Sequence, residues 1–146
     1  MIFVLIIVVG LVLDQLSKWL VVQNLPLGGS VEILGPVLQL HHVRNTGAAW
    51  SLFSNSTLGL AVFSLVLLVL LAAWFFLTPA ARRGQRLALS VVMAGALGNM
   101  LDRFRLGYVV DFLELPHWPI FNVADILLCC GVAGRAILLF LEEKAK

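Results

Sequence analysis

Residues 58–77 read LGLAVFSLVLLVLLAAWFFL, a run of 20 residues that contains no charge and no proline. This is the length that a helix needs to cross the hydrocarbon core of a bilayer. Three other segments, residues 2–22, 87–101 and 122–141, are nearly as apolar. The sequence therefore predicts a mainly α-helical membrane protein, a four-transmembrane-helix bundle formed by residues 1–146 as a single integral membrane domain.

The composition of the whole chain agrees with this prediction. It is 61% hydrophobic and only 12% charged, with a mean hydropathy of +1.02, whereas a soluble domain is about half apolar and about a quarter charged. The net charge of +2 gives no indication of a nucleic-acid partner. Cys129 and Cys130 are adjacent within an apolar segment, so we interpret them as small hydrophobic residues rather than as a disulfide.

Basic residues predict the orientation of the helices. The link between the second and third spans carries Arg82, Arg83 and Arg86, and cytoplasmic links are enriched in arginine and lysine. With four spans, both termini are then cytoplasmic. The connections 23–57 and 102–121 are expected to lie on the external side of the membrane.

The first external connection contains signals for β-structure. Residues 31–34 and 37–40 are two short, mainly apolar segments on either side of Gly35 and Pro36, a pattern typical of a hairpin. Residues 41–43 are expected to extend the second strand. We therefore predict a small external β-hairpin or sheet between the first two helices.

Polar residues gather at the external ends of the predicted helices. Asp14 and Lys18 are four residues apart in the first span, which places them on one helix face where they can pair. The others, near the ends of the third and fourth spans or in the external connections, are Asn45, Asn99, Asp102, Arg103, Asp111, Asn122 and Asp125. Ionisable groups at this depth are costly, so they are candidate functional residues. Two carboxyl groups close enough to share a proton, such as Asp111 and Asp125, would be able to activate water.

Structural roles are the alternative for several of these residues. The Asp14–Lys18 pair could serve only to fix helix packing, and the charges after the third span could only mark a helix end at the interface. Asn122 suits a helix N-cap, with Asp125 accepting backbone N–H groups in the first turn. Gly95 and Gly98 lie among small residues and favour a close helix–helix contact.

Two common kinds of hydrolase site are not indicated by the sequence. It has no His-Glu-x-x-His motif and no Cys/His cluster at ligand spacing, so we expect no zinc site. It has no Gly-x-Ser-x-Gly motif, so serine catalysis is not favoured. We therefore expect no metal and no organic cofactor.

Five blocks of sequence, taken together, resemble the bacterial lipoprotein signal peptidases, also called signal peptidase II. The blocks, in order, are Asp14-Gln15-Leu16-Ser17-Lys18, Asn45-Thr46-Gly47-Ala48-Ala49-Trp50-Ser51, Gly95-Ala96-Leu97-Gly98-Asn99-Met100-Leu101-Asp102-Arg103, Val110-Asp111-Phe112 and Phe121-Asn122-Val123-Ala124-Asp125. They extend from the first predicted helix to the last. Trp50 is the one departure, since phenylalanine is more usual there.

The resemblance implies an aspartic endopeptidase of the bacterial inner membrane. Its substrates would be prolipoproteins that carry diacylglycerol on a cysteine, cut just before that cysteine near the membrane lipid surface. Cyclic peptide antibiotics would be inhibitors. By position in the motifs, Asp111 and Asp125 match the catalytic pair, and Asn45, Asn99 and Arg103 match residues that line the substrate site. The positions matched to supporting roles are Asp14, Lys18, Asp102 and Asn122.

Two other functions are compatible with four spans and an acidic external site. A small proton-coupled transporter or channel subunit would use Asp14, Lys18 and Asp125 as a proton relay. The charges stop halfway across the predicted bilayer, however, which does not favour a complete relay. The second alternative is a non-catalytic assembly factor, whose charged pairs only fix helix packing.

Overall fold

In a computed structural model, which describes residues 1–47 and 57–144, the chain forms a helical bundle with a small sheet at one end. Its helices are α1 (Ile2–Asn24), α2 (Thr57–Leu77), α3 (Arg83–Leu106) and α4 (Val123–Lys144). Its strands are β1 (Ser30–Glu32), β2 (Gln39–Asn45) and β3 (Val109–Glu114). Within the described residues, each of the four helices is long and apolar enough to cross a membrane. The predicted fold class is confirmed.

Helix α3 is the centre of the bundle and packs against α1, α2 and α4. The helix extends beyond the predicted span, 87–101, at both ends. Because its neighbours surround it, α3 can carry Gln85, Asn99 and Asp102 in buried positions, and these polar residues lowered the hydropathy on which the prediction depended. The helix continues past Asp102 and ends only at Gly107, which has the left-handed φ of 78° typical of a C-terminal glycine.

Two glycines of α3 allow its neighbours to approach closely. A Cβ atom at Gly98 would overlap the carboxylate of Asp14 on α1, and a Cβ atom at Gly95 would overlap the backbone oxygen of Ala124 on α4. The prediction of a close helix contact at these residues is confirmed. This contact brings the polar residues of three helices within hydrogen-bonding distance of one another.

The sheet is antiparallel, with the order β1-β2-β3. The predicted hairpin is confirmed, with β1 paired to β2, and the second strand extends through His42 to Asn45. The third strand was not predicted, because residues 102–121 were interpreted as a connection. That segment contains the last turn of α3 and then β3, whose Asp111 lies opposite Val43.

A small apolar core fixes β3 on the bundle. Val110 and Phe112 pack with Val21 of α1, and Leu25 and Leu40 pack against this group. Since neighbouring side chains of a strand point to opposite faces, Asp111 is directed away from this core. The sheet thus fixes the position of Asp111 over one end of the bundle, called the sheet end below.

Candidate active site

Lys18 is the buried centre of an ion-pair network near the sheet end. Its Nζ lies 2.9 Å from Asp14 Oδ2 and 2.9 Å from Asp102 Oδ2, and it donates to Asn99 Oδ1 at 3.1 Å. An ammonium group has three protons to donate, so these partners match its capacity. Gln15 also donates to both carboxylates, at 3.1 Å and 2.9 Å. The predicted Asp14–Lys18 pair is confirmed.

The network connects α1 to both β3 and α4. Asp14 Oδ1 accepts the backbone N–H of Ala124, in the first turn of α4, at 2.9 Å. Asp102 Oδ2 accepts the backbone N–H of Val110, in β3, at 3.2 Å. Each carboxylate therefore has a second function beside pairing with Lys18, because it positions the backbone beside Asp111 or Asp125.

Asn99 connects the buried cation to Asp125. Lys18 is only a donor, so it requires the carbonyl end of the Asn99 amide to face it. The opposite end, Asn99 Nδ2, then faces Asp125 and donates to its Oδ1 at 2.8 Å. The positive charge of Lys18 thus fixes which end of the amide meets the carboxylate.

Asn122 and Asp125 form reciprocal hydrogen bonds at the start of α4. The backbone N–H of Asp125 donates to Asn122 Oδ1 at 3.0 Å, and the backbone N–H of Asn122 donates to Asp125 Oδ2 at 3.1 Å. This is the capping-box arrangement, in which an N-cap residue and the third helical residue satisfy each other's backbone groups. The expected N-cap role of Asn122 is confirmed.

Asp111 is held by two asparagine side chains. Asn45 Nδ2 donates to its Oδ2 at 2.7 Å, and Asn122 Nδ2 donates to its Oδ1 at 2.6 Å. The carbonyl end of Asn45 accepts the backbone N–H of Gly47 at 3.0 Å, which leaves the amide nitrogen for Asp111. Asn122 therefore contacts both Asp111 and Asp125, so the two carboxyl groups share one hydrogen-bonding partner.

The electrostatic environment of Asp111 favours its neutral form. Burial, together with the negative charge of Asp125, raises the pKa of Asp111 to about 6, although hydrogen bonds from Asn45 and Asn122 oppose this shift. Asp111 is 3% exposed, so few water molecules can stabilise the charge of its carboxyl group. Near pH 6 this group is therefore able to hold or release a proton.

A pocket of about 240 Å³ opens beside Asp125, between α2, α3 and α4. Ser64, Asn99, Arg103 and Asp125 contribute its polar lining, while Leu60 and Phe63 contribute part of its apolar lining. Arg103 donates to Ser64 Oγ of α2 at 3.3 Å and to the Asn99 backbone oxygen at 3.4 Å. The pocket therefore has a charged end and an apolar wall.

Most of the predicted site residues meet in one hydrogen-bonded network. It contains Asp14, Lys18, Asn45, Asn99, Asp102, Asp111, Asn122 and Asp125, and Arg103 lies beside it in the pocket. Trp50, in the second motif block, lies outside the described residues. Ser64 and Phe63 were not predicted, since α2 has no charge or motif to indicate them, whereas Gln15 could have been found from its place beside Asp14.

No cluster of metal-binding side chains is found in residues 1–47 and 57–144, and the absence of a cofactor stays a prediction.

Comparison with known proteins identifies the family. Residues 6–141 match the family described as Signal peptidase (SPase) II. The chain belongs to the signal peptidase II family. It is 43% identical over 131 residues to a lipoprotein signal peptidase of Moorella thermoacetica, covering 89% of this chain and 87% of the relative. It is 44% identical over 135 residues to that of Enterococcus faecalis, covering 91% and 84%.

Solved structures similar to this chain are bacterial membrane enzymes. One, determined by the in meso method at 2.3 Å resolution, has a TM-score of 0.90 and 33% identity, covering 99% of this chain and 90% of that chain. A second, at 1.9 Å resolution, has a TM-score of 0.85 and 34% identity, covering 94% and 91%. This signal peptidase II family member is therefore a multi-pass membrane enzyme of the lipoprotein-processing peptidases.

Proposed function

We propose that this signal peptidase II family member is an aspartic endopeptidase that uses Asp111 and Asp125 as a catalytic pair. It removes signal peptides from prolipoproteins by cutting on the N-terminal side of a diacylglyceryl-modified cysteine. The observation that carries the proposal is that Asn122 contacts both carboxyl residues. Its Nδ2 donates to Asp111, its backbone N–H donates to the Asp125 carboxylate, and its Oδ1 accepts the backbone N–H of Asp125. The negative charge of Asp125 also raises the pKa of Asp111, which supports a mechanism in which the two carboxyl groups share one proton.

The two carboxyl groups have different proposed roles. Asp125 lies in the first turn of α4, where the helix dipole favours a negative charge, so we assign it the role of the base. Its carboxylate accepts a proton from water, and the resulting hydroxide equivalent attacks the scissile carbonyl carbon. Asp111, whose pKa is raised to about 6, donates its proton to the carbonyl oxygen. As the tetrahedral intermediate collapses and its C–N bond breaks, Asp125 gives the proton it took from water to the leaving amine, and Asp111 takes a proton back from the diol as the new carboxyl group forms.

Asn45, Asn99 and Arg103 are the proposed substrate-binding residues. Asn99 and Arg103 line the pocket beside Asp125, where the second Nδ2 hydrogen of Asn99 and the other guanidinium hydrogens of Arg103 would donate to a substrate backbone or to a developing oxyanion. The apolar wall of the pocket suits the apolar part of a substrate or a cyclic peptide antibiotic. Asp14, Lys18, Asp102 and Asn122 support these groups through the hydrogen bonds described above.

The proposed location is the bacterial inner membrane, with the sheet end facing outward and both termini in the cytoplasm. Arg82, Arg83 and Arg86 lie at the other end of the bundle, and such residues mark cytoplasmic links. A diacylglyceryl group stays in the bilayer, so the bond to be cut lies near its surface. An active site at the outer end of the helices meets the bond at that depth.

Cleavage of a lipidated precursor tests the proposed function directly. Purified enzyme in detergent is expected to cut a diacylglyceryl-modified precursor at least about a hundredfold faster than the same precursor without lipid, because remote binding energy contributes to the rate. Gel mobility and mass spectrometry of the products measure the rate and the cleaved bond. Equal rates for the two precursors would contradict the proposed substrate class. Proton flux in liposomes without any cleavage would instead support a transporter.

The pH dependence of cleavage tests the shared proton. Because the pKa of Asp111 is raised to about 6, its proton is present below that pH and is lost as the pH rises through it. We therefore expect kcat/KM to fall on the alkaline side of about pH 6, and to fall again in acid when the pair binds a second proton. A bound substrate excludes water, so the alkaline limb of kcat should lie at higher pH than that of kcat/KM. A flat profile from about pH 4 to 9 would contradict the mechanism.

A further inference from the structure

A crevice runs along the bundle from the proposed catalytic pair toward the opposite end. Helices α2 and α4 both pack against α3, but no Cα atom of α2 lies within 8 Å of a Cα atom of α4 in the described residues. The two helices therefore stand apart as walls. Beneath them, Leu89, Val92 and Ala96 of α3 are buried in a core that also contains Leu71 of α2 and contacts Leu128 of α4. The pocket beside Asp125 is the deep outer part of this crevice.

Large apolar residues line the wall contributed by α2. Phe63, Leu67, Leu70 and Trp74 are separated by four, three and four positions, which places them in one stripe along the helix. Phe63 and Leu67 line the pocket, so the stripe begins beside Asp125 and faces α4. All four side chains are exposed, and Leu70 is 61% exposed. A stripe with this spacing offers ridges against which a second helix can pack.

The wall contributed by α4 has a matching stripe. Asp125, Leu128, Val132 and Arg135 are separated by three, four and three positions. Asp125 and Leu128 line the pocket, and Val132 is 59% exposed. The stripe therefore starts at a proposed catalytic residue and ends at a cation ten positions further along the helix.

Arg135 lies at the inner end of the crevice. Its guanidinium carbon lies 4.0 Å from the centre of the Trp74 ring, so one side chain spans from α4 to α2. Its Nη1 also donates to the backbone oxygen of Gln85, on α3, at 3.5 Å. A cation held over an aromatic face and on a carbonyl oxygen is a fixed positive charge at this end of the crevice, where the charges of Glu142 and Arg82 also act on it.

We propose that Arg135, held on Trp74, is a specificity-determining residue that sets the minimum number of uncharged residues between the last basic residue of a substrate and its scissile bond. The proposed occupant is the apolar helical segment that precedes the cleavage site. This inference rests on the proposed function. It adds a minimum length for the uncharged segment of the substrate, set by Arg135 at the end of the crevice that is remote from the reacting atoms.

The length of the crevice matches such a segment. Asp125 and Arg135 are ten positions apart on α4, as are Ser64 and Trp74 on α2, and ten helical residues span about 15 Å. Signal peptides carry an apolar segment of about 7–15 residues after a positively charged region. A segment of about ten residues or more therefore places the substrate's positive charges beyond Arg135, whereas a shorter one brings a like charge close to Arg135.

A graded series of substrates tests this limit. Diacylglyceryl-modified precursors would carry their last lysine about 7, 10, 13 or 16 residues before the scissile bond, and a matched series would carry glutamine in its place. With the wild type, kcat/KM for the lysine series is expected to equal that for the glutamine series at the longer spacings. At the shortest spacing it should be roughly tenfold lower or more, the effect of like charges a few ångströms apart.

Enzyme variants assign that loss to Arg135. Arg135→Gln is expected to recover most of the tenfold loss, whereas Arg135→Lys, which keeps the charge, should not. Arg83→Gln is the matched control, because Arg83 is an exposed arginine near the same end of the bundle with no side-chain partner among the described residues. It should leave the lysine-to-glutamine ratio as in the wild type.

Several outcomes would overturn the inference. A wild type that shows no loss at short spacing overturns it without any variant, and so does an equal loss in Arg135→Gln. If the crevice holds a lipid chain instead, cleavage would follow acyl-chain length and ignore the lysine position. In each of these cases the long glutamine precursor is still cut, so the proposed function survives. Failure to cut any lipidated precursor overturns the proposed function, and this inference with it.

Discussion

Replacing Asp111 with asparagine is expected to lower the rate of cleavage of a lipidated precursor by at least about a thousandfold, the size of effect that a lost proton donor produces. The amide has nearly the shape of the carboxyl group, but it cannot give its proton to a carbonyl oxygen. Asp125→Asn should have a similar effect, because the remaining carboxyl group then has no partner with which to share a proton. Single-turnover cleavage assays in detergent measure both variants.

Glu114 provides a matched control on the same strand. It lies at the end of β3 and pairs with His41 at 2.9 Å, outside the network of Asp111 and Asp125. Glu114→Gln removes one carboxylate from the sheet and should change the rate by no more than about twofold, since partly exposed ion pairs contribute little. Wild-type rates in folded Asp111→Asn enzyme would refute the assignment of the catalytic pair.

Replacing Lys18 with methionine is expected to destabilise the protein by about 3–5 kcal/mol, because it leaves buried carboxylates without their cation. Asp14 is 0% exposed and Asp102 is 3% exposed, so water cannot take over the function of Lys18. The free energy of unfolding in mixed detergent, followed by circular dichroism, measures the loss. Activity should fall as well, since Lys18 orients Asn99 toward Asp125.

Two further variants check the cause of that loss. Lys144→Met removes an exposed lysine from the last turn of α4 and should change the free energy of unfolding by less than about 1 kcal/mol. Adding Asp102→Asn to Lys18→Met removes one of the stranded charges and should recover part of the stability. If Lys18→Met were no more destabilising than Lys144→Met, the buried network would have no structural importance.

Hydropathy and spacing predicted the parts of the fold that face lipid. Helix α2 is apolar throughout, so its predicted bounds, 58–77, nearly match the observed Thr57–Leu77. The pairing of Asp14 with Lys18 follows from a separation of one helical turn. The cap at Asn122 also follows from local sequence, because an N-cap needs only its own helix.

The errors concern residues whose environment is set by distant parts of the chain. Helix α3 was predicted too short, because partners from α1 and α4 make Asp102 and Gln85 acceptable within it. Strand β3 was missed because Val109 to Phe112 are all buried, so the segment lacks the polar alternation of a half-exposed strand. The crevice between α2 and α4 was missed because it results from the packing of these two helices against α3 with their backbones held apart.

The bond from the Ala124 N–H to Asp14 has a consequence for biogenesis. It joins the first helix to the last, and Asp125 reaches its place only when α4 docks on α1 and α3. A nascent chain that has inserted three helices therefore lacks half of the proposed catalytic pair and the cap that would hold it. Proteolytic competence then arrives with the final insertion step, and an incompletely made enzyme has no means of attacking other proteins in the membrane.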